Sequence, residues 1–247
     1  MILLDPRARP LVAHRGASGE YPENTILAFE RGLEHGADAI EFDVRTTGDG
    51  VPVVIHDSTV DRTTDGSGAV ESLSYEQLCR LDLGACQKIP LLEQVLMRFP
   101  EVPMIVEIKN RRAAEPALQV IERCGATERT LIGAFEHGSL EPFRRTNVAC
   151  SASRRESTAF WLASRLGWSL GGRGYRALTV PVTHRGVPVV DRRLIRSALK
   201  RSKPVHVWTV DDRSEAARLR ALGVCGIITN FPSRMRDLGA VPTTYTT

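Results

Sequence analysis

The sequence predicts an α/β fold: a TIM (β/α)8 barrel with a small insertion after the second strand. Three observations carry that expectation. Apolar or β-branched runs begin at residues 11, 39, 104, 130, 147, 178, 205 and 226, eight in all. Most are followed by a segment with helical apolar spacing, which implies a parallel sheet covered by helices. Finally, 247 residues divided by eight leaves about 31 per unit, enough for one strand, one helix and two loops. The whole chain, 1–247, reads as a single barrel domain with an insertion at about 58–90.

The units follow in order. LVAH at 11–14 is the first strand, and NTILAFERGLEHG the first helix, with Ile26, Leu27, Phe29 and Leu33 in its apolar stripe and Gly36 as its stop. AIEFDVR at 39–45 is the second strand, and GDG at 48–50 turns it into VPVVIHD in the manner of a hairpin. Ser58 to Pro90 is irregular, rich in Asp, Thr, Gly and Ser, with one short helix near Ser74 to Arg80. Helix LLEQVLMRF then leads to strand MIVEIK, and helix EPALQVIERCG to strand TLIGAF. NVACSA, TAFWLASRLG, LTVPV, LIRSALKR, VHVWTV, EAARLRALG and GIITNF continue the alternation.

Composition narrows the class. With 42% hydrophobic and 25% charged residues the chain is neither disordered, nor collagen-like, nor a disulfide scaffold. The five cysteines, Cys79, Cys86, Cys124, Cys150 and Cys225, are odd in number and never spaced CxxC, which argues against disulfides or a cysteine zinc site and for a reducing cytoplasm. Four apolar residues before Asp5 are too few for a signal-peptide core, and no run approaches the roughly 20 that span a bilayer, so a soluble cytoplasmic protein is expected. Charge is unevenly spread: residues 1–143 carry 14 Lys and Arg against 23 Asp and Glu (14 − 23 = −9), and residues 144–247 carry 19 against 6 (19 − 6 = +13). No basic run exceeds two residues and none is interleaved with aromatics, so solvated faces are expected and no nucleic-acid partner. Contact of the basic second half with an anionic membrane stays open, as does the choice between monomer and homo-oligomer.

In such barrels the C-terminal strand ends carry the chemistry. Here they are polar: His14 and Arg15 end the first strand, Glu41 and Asp43 lie on the second, His56 ends the hairpin, and Glu107 and Lys109 lie on the third. Residues two apart on a strand share a face, so Glu41 pairs with Asp43 and Glu107 with Lys109. If the acids faced outward, Ile40, Phe42 and Val44 would have to turn into the barrel and the helices would lose their packing surface. Three carboxylates without a Cys or a metal-spaced His pair suit a hard divalent cation, Mg²⁺ or Ca²⁺, over zinc. His14 and His56 add an acid and a base, and Arg15 and Lys109 match phosphate oxygens. Together they describe phosphoryl chemistry.

The run LVAHRGASGEYPENTILAFERGLEHGADAIEFDVRTTGDGVPVVIHDSTVDRTTDGSG resembles the signature segment of the glycerophosphodiester phosphodiesterases, and MIVEIK, VHVWTV and GIITNFP resemble that family's later strands. The segment covers about a quarter of the chain and is highly specific. The resemblance implies metal-dependent hydrolysis of glycerophosphodiesters to glycerol 3-phosphate and an alcohol, within glycerol and lipid metabolism. His14 and His56 are then the acid and base, Glu41, Asp43 and Glu107 the metal ligands, and Arg15 and Lys109 the phosphate grip. It further implies attack by the substrate's own glycerol hydroxyl through a cyclic phosphate, Trp208 against the glycerol carbons, and Glu23 near the site. His206, two residues before Trp208 and deeper, is expected to pack; Asn24 and Thr25 are candidate helix caps. Asp211 departs from the family's usual Asn, and Ala134 with Phe135 stand where Ser and Phe are usual. Other readings are a phosphodiesterase of this fold acting on lysophospholipids, a non-catalytic phosphate-binding barrel, and a helical HD-type phosphohydrolase suggested by His56 and Asp57; the last lacks its helix, since VPVVI precedes it.

Overall fold

The computed structural model describes residues 1–168, 172, 174–236 and 238. In chain order its strands are β1 (Leu11–His14), β2 (Ala39–Thr46), β3 (Pro52–Val54), β4 (Met104–Ile108), β5 (Thr130–Gly133), β6 (Ala149–Cys150), β7 (Leu178–Pro181), β8 (Thr183–His184), β9 (Val187–Pro188), β10 (Val205–Trp208) and β11 (Gly226–Thr229). The α-helices are α1 (Ile26–Glu34), α2 (Tyr75–Leu78), α3 (Leu92–Arg98), α4 (Ala114–Arg123), α5 (Glu141–Arg144), α6 (Arg154–Arg165), α7 (Arg192–Leu199) and α8 (Arg213–Leu222).

Eight strands run parallel in the hydrogen-bonded order β6-β5-β4-β2-β1-β11-β10-β7. A parallel bridge between Ser151 and Ala177 joins the two ends, with the Arg176 N–H donating to the Cys150 carbonyl at 2.7 Å and the Ala152 N–H to the Ala177 carbonyl at 2.9 Å. The ring is therefore closed, and the eight expected strands are its staves. β3 pairs antiparallel with β2, as the GDG turn predicts.

The strand pleat separates two apolar layers. Ile40, Phe42 and Val44 on β2, with Met104, Val106 and Ile108 on β4, pack in one cluster with Phe29, Leu92, Val95 and Leu118 of the helices. Val12, Ala39, Ile105, Leu131, Ala149 and Ile228, the opposite parity, form a second cluster inside the ring. Beneath them a 3-10 turn at Ile2–Leu4 contributes Leu3, fully buried. No periodic pattern in the sequence marks this N-terminal plug. Because the lower interior is filled with hydrocarbon, the polar residues two positions further along the same strands emerge together at the opposite end.

Local capping explains where elements differ from expectation. α6 begins four residues before TAFWLASRLG because Ser153 and Glu156 form a reciprocal capping box. Thr25 caps α1, accepting from the Ala28 N–H at 3.1 Å. The insertion builds its own apolar cluster of Val60, Val70, Leu78, Leu83 and Ile89 against Val53 and Ile55, with α2 at the expected place. The short α5 and the β8–β9 hairpin were not anticipated, being four-residue and two-residue elements without a periodic pattern.

His206 packs within the barrel, as expected. It is fully buried, its Nε2 donates to the Leu3 carbonyl at 2.8 Å, its Nδ1 has no partner, and burial lowers its pKa to about 4. An unfolded chain takes up this proton near pH 6.5, so between about pH 6.5 and 4 the folded state binds fewer protons. This contribution is intact above pH 6.5 and is lost as pH falls, by about 2 kcal/mol between pH 7 and pH 5. His206→Gln is expected to lower stability at pH 7 but to flatten its decline toward pH 5, read from urea midpoints at both values. A variant whose decline matched the wild type would contradict this.

Candidate active site

The polar side chains converge at the C-terminal rim. In the strand register His14 stands beside Glu41, and Asp43 beside Glu107. Carboxylate oxygens of Glu41, Asp43 and Glu107 lie within 4.8 Å of one another. Lys109 Nζ lies 2.6 Å from Glu107 Oε1 and 3.2 Å from Asp43 Oδ1, and Arg15 Nε lies 3.0 Å from Asp43 Oδ2. His14, Arg15, Glu41, His56, Glu107, Lys109 and Trp208 all line one cleft of about 790 Å³; Asp43 does not line it, being buried and ion-paired with the lining residues Arg15 and Lys109.

The three acids are not electrostatically equal. Burial raises the Asp43 carboxyl, but Lys109 and Arg15 outweigh it and hold the group below the ordinary carboxylate range. Glu41 goes the other way: burial, with Asp43 and Glu107 beside it, pushes its carboxyl well above that range. Burial also raises Glu107, against the pull of Lys109. Three carboxylates thus share two cationic side chains, and Glu41 accepts at its Oε2 from the Arg15 backbone N–H at 3.1 Å. Three close carboxylates, two of them buried, in excess of their cations make a donor set that fits a divalent ion.

Each histidine is oriented through its Nδ1. His56 Nδ1 lies 2.6 Å from Asp57 Oδ1, and Arg62, from the insertion, donates from its Nε to Asp57 Oδ2 at 2.6 Å. His14 Nδ1 lies 2.7 Å from Asn230 Oδ1. Asp211 decides that amide's orientation: its Oδ2 accepts from Asn230 Nδ2 at 2.7 Å, so the amide oxygen must face His14. An acceptor on Nδ1 keeps the ring proton there and leaves Nε2 as the basic nitrogen. Burial, with Arg15 nearby, lowers the pKa of His14.

Sequence reasoning missed Asp57, Asn230 and Asp211 as orienting groups. GIITNF carried Asn230 in view, but nothing local ties it to a histidine 216 positions away. Asn24, a cap candidate by its sequence position, instead donates from Nδ2 to Asp43 Oδ2 at 3.0 Å. Glu23 does not line the cleft; it accepts from Arg15 at 3.1 Å and from Arg62 at 2.7 and 2.9 Å, and these arginines outweigh burial and lower its pKa. With His14 as the acid or base that the family resemblance implies, Asn230→Leu is expected to lower kcat about 10- to 100-fold with little change in KM, the size of loss seen when the partner that orients a functional imidazole is removed. Steady-state kinetics check this, and an unchanged kcat would show that His14 needs no such anchor.

Residues 14–234 match the model of the glycerophosphoryl diester phosphodiesterase family. A Mycobacterium tuberculosis protein named "Probable glycerophosphodiester phosphodiesterase 2" is 35% identical over 241 residues, 93% of this chain and 90% of its own length. The chain belongs to the glycerophosphoryl diester phosphodiesterase family. A glycerophosphodiester phosphodiesterase of Caldanaerobacter subterraneus is 32% identical over 242 residues, 92% of this chain and 96% of that one. Among solved structures, a phosphodiesterase of Oleispira antarctica in complex with the product sn-glycerol-3-phosphate aligns at a TM-score of 0.79 with 22% identity, covering 94% of this chain and 96% of that chain. The family's barrel is thus the fold seen here. Among the described residues no helix is long and apolar enough to cross a membrane.

Proposed function

We propose that the protein hydrolyses glycerophosphodiesters to glycerol 3-phosphate and an alcohol, using His14 and His56 as the acid and base. The observation that carries this reading is the convergence of two Nδ1-anchored imidazoles, three carboxylates and two cations on one cleft. Family membership and the product named for the Oleispira antarctica structure support the substrate class.

Glu41, Asp43 and Glu107 would hold a divalent cation, Mg²⁺ or Ca²⁺. When bound, such an ion supplies Lewis-acid stabilisation of charge on the phosphate. Arg15 and Lys109 place cationic donors beside the same oxygens. One imidazole Nε2 takes the proton of the glycerol hydroxyl neighbouring the phosphate as that oxygen bonds to phosphorus. The bond from phosphorus to the other alcohol breaks, and the second imidazole gives that departing oxygen a proton. Water then opens the cyclic phosphate to glycerol 3-phosphate, and the two histidines exchange their states. Trp208, at the cleft wall, faces the glycerol carbons, and Glu23 contributes by fixing Arg15. The five free cysteines support a reducing, cytoplasmic setting.

A coupled assay for glycerol 3-phosphate tests the reading across glycerophosphocholine, glycerophosphoethanolamine and glycerophosphoglycerol. The analogue of glycerophosphocholine lacking the neighbouring hydroxyl, whose phosphate product is not glycerol 3-phosphate, is followed by choline release and is expected to release none. Comparable turnover of that analogue would exclude the cyclic route and leave direct attack by water.

A further inference from the structure

In the closed ring β6 stands four places from β1, and β7 four places from β2, so the segments that follow β6 and β7 face the histidine and acid side across the cleft. These segments are α6 and the β8–β9 hairpin. Arg154, Ser157 and Thr158, spaced i, i+3 and i+4 along one face of α6, line the cleft, and His184 and Arg185 line it from the hairpin. Among the described residues, the acids that line the cleft are Glu41 and Glu107, on β2 and β4. Arg15 and Lys109 are engaged with the acidic cluster, whereas the Arg154 and Arg185 side chains have no hydrogen-bond or ion-pair partner among the described residues.

Neither of these two arginines stands where stability would place one. Arg154 is the first residue of the 12-residue α6, where the positive end of the backbone dipole disfavours a cation. Arg185 and Gly186 form the two-residue turn between β8 and β9, at φ 50° and 79°, a left-handed pair that suits Asn and Gly. Two separate elements thus set an exposed, unpaired guanidinium on the same wall of the cleft. A guanidinium fork matches phosphate oxygens, and the hydroxyls of Ser157 and Thr158 add donors beside Arg154. The reacting phosphate has its own cations, Arg15 and Lys109, on the facing side, and the glycerol has Trp208. What remains for the basic wall is the departing alcohol, and the +13 charge of residues 144–247 has a local use there.

We propose that Arg154 and Arg185 bind a second phosphate carried on the departing alcohol, so that the preferred substrates are glycerophosphodiesters of phosphorylated alcohols. This rests on the phosphodiesterase reading above. The reaction itself is unchanged: the glycerol hydroxyl oxygen bonds to the first phosphorus, the bond from that phosphorus to the departing oxygen breaks, and the departing oxygen takes a proton. Water then opens the cyclic phosphate. The second phosphate is left intact, and the products are glycerol 3-phosphate and the phosphorylated alcohol.

The test compares kcat/KM for glycerol 3-phosphate release within two pairs that differ by one phosphate: glycerophosphoglycerol against bis(glycerophospho)glycerol, counted per scissile end, and glycerophosphoinositol against its 4-phosphate. In low salt the extra phosphate is expected to raise kcat/KM about tenfold in at least one pair, two exposed charged contacts contributing about threefold each. The ratio should fall toward one in about 0.5 M NaCl, where such contacts are screened. Arg154→Gln and Arg185→Asn are each expected to lower the ratio about threefold without lowering the melting temperature, since both replacements suit their positions better. They lie on separate elements, so either one serves if the other fails to fold. A third comparison, choline release from glycerophosphocholine and from its 1-phosphate, carries the extra phosphate on the glycerol instead. Ratios near one in both pairs, or variants that depress both members of a pair equally, overturn the proposal. A gain confined to the 1-phosphate overturns the placing of the subsite on the departing side. Turnover of glycerophosphoglycerol with ratios near one leaves the parent activity standing, whereas no product from any compound overturns both.

Discussion

His14→Ala or His56→Ala is expected to lower kcat for glycerophosphodiester hydrolysis about 10²- to 10⁴-fold, the range for loss of a positioned general acid or base. KM should change little, because neither ring is the main source of ground-state binding. The two variants should be similarly damaged, since one proton must leave the attacking hydroxyl and another must reach the departing oxygen. Their double variant should cost much less than the product of the two single losses, as groups that act together are not additive. Both side chains stand at the solvent-facing rim, 16% and 32% exposed, so folding should survive the truncation. Near-wild-type turnover in either variant, with metal supplied, would remove that histidine from the chemistry.

The second large effect concerns the carboxylates. Exhaustive chelation is expected to lower activity at least about 10³-fold, and Mg²⁺ or Ca²⁺ to restore it, because charge stabilisation at phosphorus by a metal is worth several kcal/mol. Glu41→Gln separates this effect from simple damage. Glu41 is the acid most crowded by like charge and burial, so removing its negative charge relieves repulsion in the metal-free protein. The variant should be nearly inactive and yet unfold about 2 °C or more above the metal-free wild type, while losing the stabilisation that added metal gives the wild type. Asp43→Asn should do the opposite to stability, because it withdraws the partner of both Arg15 and Lys109 from a buried setting. Calorimetry with and without metal distinguishes the two. A Glu41→Gln protein less stable than the metal-free wild type would show that Glu41 is not charge-crowded.

The barrel was legible because its strands are long enough to show apolar runs and because eight such runs recur along the chain. Glu41 and Asp43 were legible for the same reason: Ile40, Phe42 and Val44, at the alternate positions, are what the helices cover. What stayed hidden was carried by pairings with no local signature. Asn230 meets His14 only because β11 and β1 are neighbours in the ring. Asp57, in the sequence half of the dipeptide that suggests an HD-type phosphohydrolase, lies against the histidine beside it. Asp211, the departure from the family's usual residue, stands behind Asn230 instead of lining the cleft. The plug at Ile2–Leu4 and the β8–β9 hairpin escaped because their roles depend on what lies across the barrel.

The most direct measurement is the fate of oxygen when the purified, metal-supplied enzyme cleaves glycerophosphocholine in heavy-oxygen water. Mass spectrometry should find one heavy oxygen in glycerol 3-phosphate, none in choline, and the two products in equal amounts. Label in choline, or formation of phosphocholine and glycerol, would contradict cleavage of the bond between phosphorus and the headgroup oxygen at the site formed by His14, His56 and the three acids.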